Sequence, residues 1–248
     1  MTTTPPPAAQ RVAAFFDLDG TLIPGSSVNA LAKAAVTSGF VSKRDLALDV
    51  ARTLALVLRG ARGVAAERLR DRVLRGITGR RAAEVEALAE GINADLVATM
   101  PPTMRELVAE HRAAGHHLVL VSASPTEVVH RVAEAAGLDR GIGTTAHRDA
   151  DDRYDGTLVG PFCHREGKAQ VVAALAAEHG FVLAECFGYS DSASDEPLLA
   201  MVGHPVAVDP EPELRRLAEV RGWPVIDTGP RAPGIPGLRE AIRAQPCP

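Results

Sequence analysis

Residues 14–22 read A-F-F-D-L-D-G-T-L. The apolar run 12–16 has the character of a buried strand, yet it ends in two carboxylates, Asp17 and Asp19, followed at once by Gly20 and Thr21. A polar turn closing a strand would account for an isolated D-x-D-G. On a strand, however, residues i and i+2 share a face, so at its mouth both acids converge on one pocket while Leu18 turns into the core. Two carboxylates at such a distance resist joint ionisation. A cation relieves them, and carboxylate oxygens are the ligands Mg2+ prefers. The segment 188–199, G-Y-S-D-S-A-S-D-E-P-L-L, supplies two further acids, Asp191 and Asp195, again directly after an apolar run. Read alone, that loop is equally a helix N-cap whose acids suit the dipole.

The rest of the chain sets the frame for this cluster. With 248 residues, 46% of them hydrophobic, it is long enough for one substantial core with an inserted subdomain. A net charge of -4 gives no reason to expect nucleic acid as a partner. Residues 1–10 are rich in Thr and Pro with no basic or apolar region, which reads as a disordered tail and not as a signal peptide. The run 46–58 is interrupted by Asp49 and Arg52 and is too short to span a bilayer, so no membrane span is expected. Cys163, Cys186 and Cys247 are widely spaced with no C-x-x-C, which fits a reducing cytoplasm better than a disulfide framework or a zinc site.

Short apolar runs at 118–122, 185–189, 205–208 and 224–226 alternate with helical patterns at 103–114, 126–136, 167–179, 196–202 and 211–221. Such alternation predicts an α/β fold: a Rossmann-like, three-layer arrangement with a parallel sheet covered on both faces. Ligands of such sheets gather at the carboxyl ends of the strands, where Asp17, Ser122 and Asp191 fall. From 24 to 100 the alternation lapses into Ala-, Leu- and Arg-rich helical sequence, which reads as an inserted helical cap. The expected division is a core of 11–23 and 101–230, a cap of 24–100 and a C-terminal extension of 231–248. A smaller interruption at 148–160 contains Asp155-Gly156, a hairpin turn signal.

Two further elements suit an anion. In V-S-A-S-P, 121–125, the Ser122 hydroxyl and the amides from Ala123 onward, at a strand-to-helix passage, can hold an anion's oxygens, although Ser before a helix is also an ordinary cap. Lys168 in H-R-E-G-K-A-Q stands at a helix start, where the dipole disfavours a cation, so it is better explained as aimed at an anionic ligand than as surface charge. The sequence is not a nucleotide P-loop, because Phe162 stands where that motif requires glycine.

On these residues the chain resembles the haloacid dehalogenase-like hydrolase superfamily, in its phosphoserine-phosphatase-like branch with a helical cap after the first motif. D-L-D-G-T-L matches the first motif, V-S-A-S the second, the lysine of E-G-K-A-Q the third and Y-S-D-S-A-S-D-E-P-L-L the fourth, in the family's order and over nearly the whole chain. The resemblance implies a Mg2+-dependent phosphomonoesterase acting on a small phosphorylated substrate. Asp17 would be the nucleophile that becomes an aspartyl-phosphate, and Asp19 the general acid/base. Asp17, Asp191 and the main-chain carbonyl of Asp19 would hold the metal, with Asp195 supporting it. Ser122, Ala123, Lys168, Gly20 and Thr21 would bind phosphate. Asp19 also argues for attack on phosphorus, since the dehalogenase branch lacks that acid. A phosphotransferase using the same intermediate and a non-catalytic binding module on the same fold are the alternatives.

The same resemblance marks a departure. Phosphoserine phosphatases carry a substrate-reading glutamate shortly after the first motif, at a spacing where this chain has Ser26, which speaks against phosphoserine itself. Residues 59–81 hold Arg59, Arg62, Arg68, Arg70, Arg72, Arg75, Arg80 and Arg81 against Glu67 and Asp71, a stretch that either draws a multiply charged substrate or forms a solvated helix face. His116, His117, His147 and His164 have no spacing that demands a metal. The oligomeric state is open.

Overall fold

The structure, a computed structural model, describes residues 12–40, 62–229 and 235–246. The expected tail at 1–10, the apolar run at 46–58 and Arg59 lie outside the described residues. Among the described residues β1 (Ala13–Phe16) is followed by α1 (Ser27–Thr37), α2 (Arg62–Ile77) and α3 (Ala82–Ala98), and then by α4 (Pro102–Ala113). Next come β2 (His117–Pro125), α5 (Thr126–Ala135), β3 (Arg140–Arg148) and β4 (Tyr154–Val159). The remainder runs α6 (Glu166–His179), β5 (Phe187–Ser190), α7 (Glu196–Leu199), β6 (His204–Val208), α8 (Pro212–Arg221), β7 (Val225–Ile226) and α9 (Pro236–Ala244).

The strands form one seven-stranded sheet in the order β4-β3-β2-β1-β5-β6-β7, parallel except for β4. β1 is central, pairing Phe16 with Leu120 on one side and with Tyr189 on the other. The chain builds outward from β1 through β2 to β4, then returns to build the other half from β5, so the strand order reverses beside β1. Crevices at such reversals open at the carboxyl ends of the strands.

β1 is apolar on both faces because both are covered. Ala14 and Phe16 pack with Leu118, Leu120, Phe187 and Tyr189, while Ala13 and Phe15 pack with Val119, Val121, Val172 and Leu175 on the opposite side. Phe16 stacks on Tyr189 at 4.7 Å between centroids. Each fully buried aromatic of this group contributes about 1.5–3 kcal/mol by leaving water. Leu31 of α1 and Ala89, Ile92 and Leu96 of α3 are buried in the first cluster as well, so the helices after β1 share a core with the sheet.

Behind that face a polar thread crosses the apolar layer. Tyr189 Oη lies 2.6 Å from His111 Nε2, His111 Nδ1 lies 2.7 Å from His116 Nδ1, and His116 Nε2 lies 2.5 Å from the Gln245 carbonyl. A carbonyl only accepts, so His116 Nε2 carries hydrogen; with both rings neutral, His111 then donates to His116 and Tyr189 to His111. Burial holds the His111 ring neutral, depressing its pKa to about 2 with His116 and His204 adding to the effect.

β3 was not anticipated, because R-G-I-G-T-T-A-H-R lacks an apolar alternation. Its two glycines are steric: a Cβ at Gly141 would lie 2.6 Å from the Val129 carbonyl of α5, and one at Gly143 2.7 Å from the Ser124 carbonyl near the end of β2. The hairpin expected at 148–160 is present, but its turn is at 149–153 and not at Asp155-Gly156. Asp149 closes it, accepting from Asp151 N and Arg153 N at 2.9 Å each. Asp155-Gly156 lies inside β4, where Gly156 has φ +87° and the Asp155 carboxylate accepts from Thr157 N at 2.9 Å, a local kink in the strand.

Candidate active site

Asp17 follows the last residue of β1, and its N–H donates to the Tyr189 carbonyl at 2.9 Å, which extends the pairing with β5 by one step. The chain then folds into a tight loop: Leu22 N donates to Asp17 O at 3.2 Å, Ile23 N to Leu18 O at 3.0 Å, and Gly20 N to Ile23 O at 2.8 Å. Leu18 is fully buried, as the alternation demanded. Gly20 has φ +84°, and a Cβ there would lie 2.2 Å from Asp191 Oδ2. Glycine is therefore what permits the loop after β1 and the loop after β5 to meet.

Lys168 is the third residue of α6, and its side chain is buried. Its Nζ lies 2.6 Å from Asp17 Oδ1 and 2.6 Å from Asp195 Oδ2. Ser190 Oγ donates to the same Asp195 oxygen at 2.7 Å. Burial alone would disfavour the ammonium, but the two carboxylates outweigh it and hold the Lys168 pKa above the ordinary lysine value. The placement that the helix dipole disfavours is thus explained by two buried acids.

Thr21 Oγ1 lies 3.3 Å from Asp191 Oδ1 and 3.5 Å from Asp17 Oδ2, spacing the two carboxylates across one hydroxyl. Burial pushes the Asp17 carboxyl up to about 8, with Asp195 and Asp191 adding and Lys168 opposing. It pushes Asp191 up to about 6. Three acids around one ammonium leave an excess of negative charge, which suits a further cation. Among the described residues no three His, Cys, Asp or Glu side chains gather in metal-holding geometry. The two carboxylates Asp17 and Asp191 fit Mg2+, which characteristically takes one or two carboxylates and fills its shell with waters and phosphate oxygens.

Asp19 points elsewhere. Its Oδ1 accepts from Ser27 N at 2.5 Å, and its Oδ2 accepts from Ser27 Oγ at 2.9 Å and Ser124 Oγ at 3.0 Å. Burial raises its pKa and these hydrogen bonds oppose the rise. Neither serine was singled out from the sequence, because serine at a helix start ordinarily caps the helix. The two hydroxyls lie 2.7 Å apart, so α1 and the end of β2 grip the acid together.

Ser122 is buried near the end of β2, one step past the residue level with Asp17. Its Oγ accepts from Ser124 N at 3.1 Å, so its hydroxyl hydrogen is the group it can offer an anion. Thr144, also unanticipated, fixes the next residue by donating to the Ala123 carbonyl at 2.8 Å. Cys163 is buried nearby, and burial pushes its thiol up to about 12, which removes it as a nucleophile. Ser26 caps α1, accepting from Asn29 N at 3.3 Å.

A match to the haloacid dehalogenase-like hydrolase description covers residues 14–200, from the Asp17 strand through the Asp195 loop. The chain belongs to the haloacid dehalogenase-like hydrolases. Among curated members, a probable phosphatase of Mycobacterium tuberculosis is 36% identical over 217 residues, covering 87% of this chain and 75% of that protein. Phosphoserine phosphatase SerB1 of the same organism is 37% identical over 226 residues, covering 90% and 72%. A solved structure from Bordetella pertussis Tohama I, a protein of unknown function, superposes with a TM-score of 0.78 at 32% identity, covering 89% of this chain and all of that one. The chain is thus a haloacid dehalogenase-like hydrolase with relatives named as phosphatases. Among the described residues no helix is long and apolar enough to cross a membrane.

Proposed function

We propose that this hydrolase is a Mg2+-dependent phosphomonoesterase for a small phosphorylated metabolite, working in the cytoplasm, with Asp17 as nucleophile and Asp19 as general acid/base. The observation that carries the reading is the buried Lys168 ammonium, 2.6 Å from both Asp17 and Asp195, with Asp191 one hydroxyl away. A carboxylate and a phosphate dianion repel each other, and fixed positive charge at the point of attack removes that barrier. Asp17, Asp191 and the Asp19 main-chain carbonyl would hold Mg2+, which supplies further charge neutralisation on the phosphate oxygens.

Asp17 attacks phosphorus, forming an Asp17–phosphate bond as the bond to the leaving oxygen breaks. Lys168, the Ser122 hydroxyl, the Ala123 main chain and the Gly20-Thr21 turn orient the phosphate. Asp19 gives its proton to the leaving alkoxide, and burial, which raises its pKa, favours the protonated form needed for that step. Ionised again, it takes a proton from the water that attacks the aspartyl-phosphate, and phosphate departs with Asp17 regenerated.

We further place the division between core and cap at 24–100. In support, the described residues of that segment form α1, α2 and α3 and contribute no strand to the sheet. The cytoplasmic assignment draws on Cys163, a buried free thiol. The test is phosphate release from a panel of phosphomonoesters with and without Mg2+, and after chelation. Release that depends on the metal and vanishes in Asp17→Asn supports the reading; release that survives Asp17→Asn overturns it.

A further inference from the structure

α2 carries Ala66, Leu69, Val73, Leu74 and Ile77 at helical spacing, a stripe of the kind that normally seals against a core. Here the stripe lines a cavity of about 160 Å³ between α2 and the sheet, opposite Phe162, Leu158 and Ala146. Asp19 and Ser124, joined by a 3.0 Å hydrogen bond, are part of the cavity's wall, so the apolar space adjoins the acid proposed to protonate the leaving oxygen.

Among the described residues, most of the other polar side chains that line the cavity already have protein partners. Glu127 accepts from Tyr154 Oη at 2.6 Å and from Arg148 at 3.2 Å. Arg70 lies over the Phe162 ring at 5.1 Å and pairs with Asp71 at 2.6 Å. Ser26 caps α1, and Thr144 donates to Ala123 O. A zwitterionic leaving group entering here would surrender water for hydrocarbon, and among the described residues the charged side chains that line the cavity besides Asp19, namely Glu127 and Arg70, already hold partners of their own.

We propose, resting on the phosphomonoesterase reading, that this cavity is the leaving-group site and takes the apolar body of an uncharged alkyl or aryl alcohol, so that the substrate is the phosphate monoester of such an alcohol and not of an amino acid. Among the described residues, the α2 arginine that lines the cavity is Arg70, which lies over the Phe162 ring and pairs with Asp71.

Affinity of the full chain, with Mg2+ present, for a series of n-alkylphosphonates tests the site without turnover, because the P–C bond is not cleaved. Titration calorimetry is expected to show affinity rising by up to about fourfold per methylene until the cavity is filled. Val73→Asp flattens that rise, and a phosphonate bearing an α-amino acid head binds no better than methylphosphonate. An affinity independent of chain length in the unsubstituted protein, or tightest binding by the amino acid head, overturns the proposal. The underlying reading fails separately: a rising series with no phosphate release from any monoester removes the hydrolysis and keeps the apolar site, whereas a flat series with Mg2+-dependent release removes only the site.

Discussion

The Lys168 ammonium lies 2.6 Å from the Asp17 carboxylate although they are 151 positions apart in the chain, and both side chains are largely buried. Removing one member of such a pair leaves uncompensated buried charge. Lys168→Met is therefore expected to lower stability by about 3–5 kcal/mol as well as to abolish phosphate release. Adding Asp195→Asn to that variant removes one of the stranded charges and restores part of the stability with no return of activity. Urea unfolding of the single and double variants checks the first expectation, and kinetics the second.

Asp19 is held by Ser27 and Ser124, and its task differs with the leaving group. Asp19→Asn is expected to slow alkyl phosphate hydrolysis by about 10² to 10⁴ and to slow a nitrophenyl ester much less, since nitrophenolate departs without a proton. Ser124→Ala, which removes one hydrogen bond to the charged group, is expected to cost about tenfold or more in kcat on the alkyl ester with little change in KM. Equal losses on the two esters would remove Asp19 from the proton-transfer role.

Gly20 and Gly39 both have positive φ, +84° and +75°, but among the described residues a Cβ at Gly20 meets Asp191 Oδ2 at 2.2 Å whereas one at Gly39 meets nothing within 4 Å. Alanine at either site incurs the left-handed backbone cost of about 1–2 kcal/mol. Gly20→Ala is expected in addition to raise the Mg2+ concentration for half-maximal activity, while Gly39→Ala leaves that concentration where it was. Metal titrations of the two variants beside their unfolding curves separate geometry from stability.

The His111 ring is kept neutral in the fold, with Tyr189, His116 and His204 as the titratable groups around it. Its folded pKa of about 2 lies below the ordinary 6.5. The unfolded chain therefore binds the extra proton first: the stability is fully present above about pH 6.5 and falls, by up to about 1.4 kcal/mol per pH unit, as pH drops below that value toward 2. Urea midpoints between pH 8 and 4 are expected to decline in the unsubstituted protein and to decline less in His111→Gln.

The acids and the lysine were legible because each is a charge where local physics disfavours one: Asp17 and Asp191 at the mouths of apolar strands, Lys168 at a helix start. What holds Asp19 was not legible. Ser27 and Ser124 are short polar residues at helix starts, where capping explains them equally well, and only the tertiary fold brings their hydroxyls to 2.7 Å from each other. β3 was hidden for a related reason: its glycines answer the close approach of α5 and the end of β2, a steric demand that suppresses the apolar pattern a strand otherwise shows. The turn at 149–153 was misplaced because Asp155-Gly156 has the composition of a hairpin turn but serves as a kink.

α9 brings Ile242 into the main core, and its Arg239 and Arg243 reach Glu106 and Glu110 of α4 at 2.7 and 3.2 Å. Gln245 also terminates the hydrogen-bonded thread that begins at Tyr189, beside Asp191. During synthesis these residues leave the ribosome after every strand of the sheet. Until they emerge, one face of the sheet carries an open slot and His116 lacks its acceptor, so the packing beneath the Asp17 and Asp191 loops is completed only after α9 has docked.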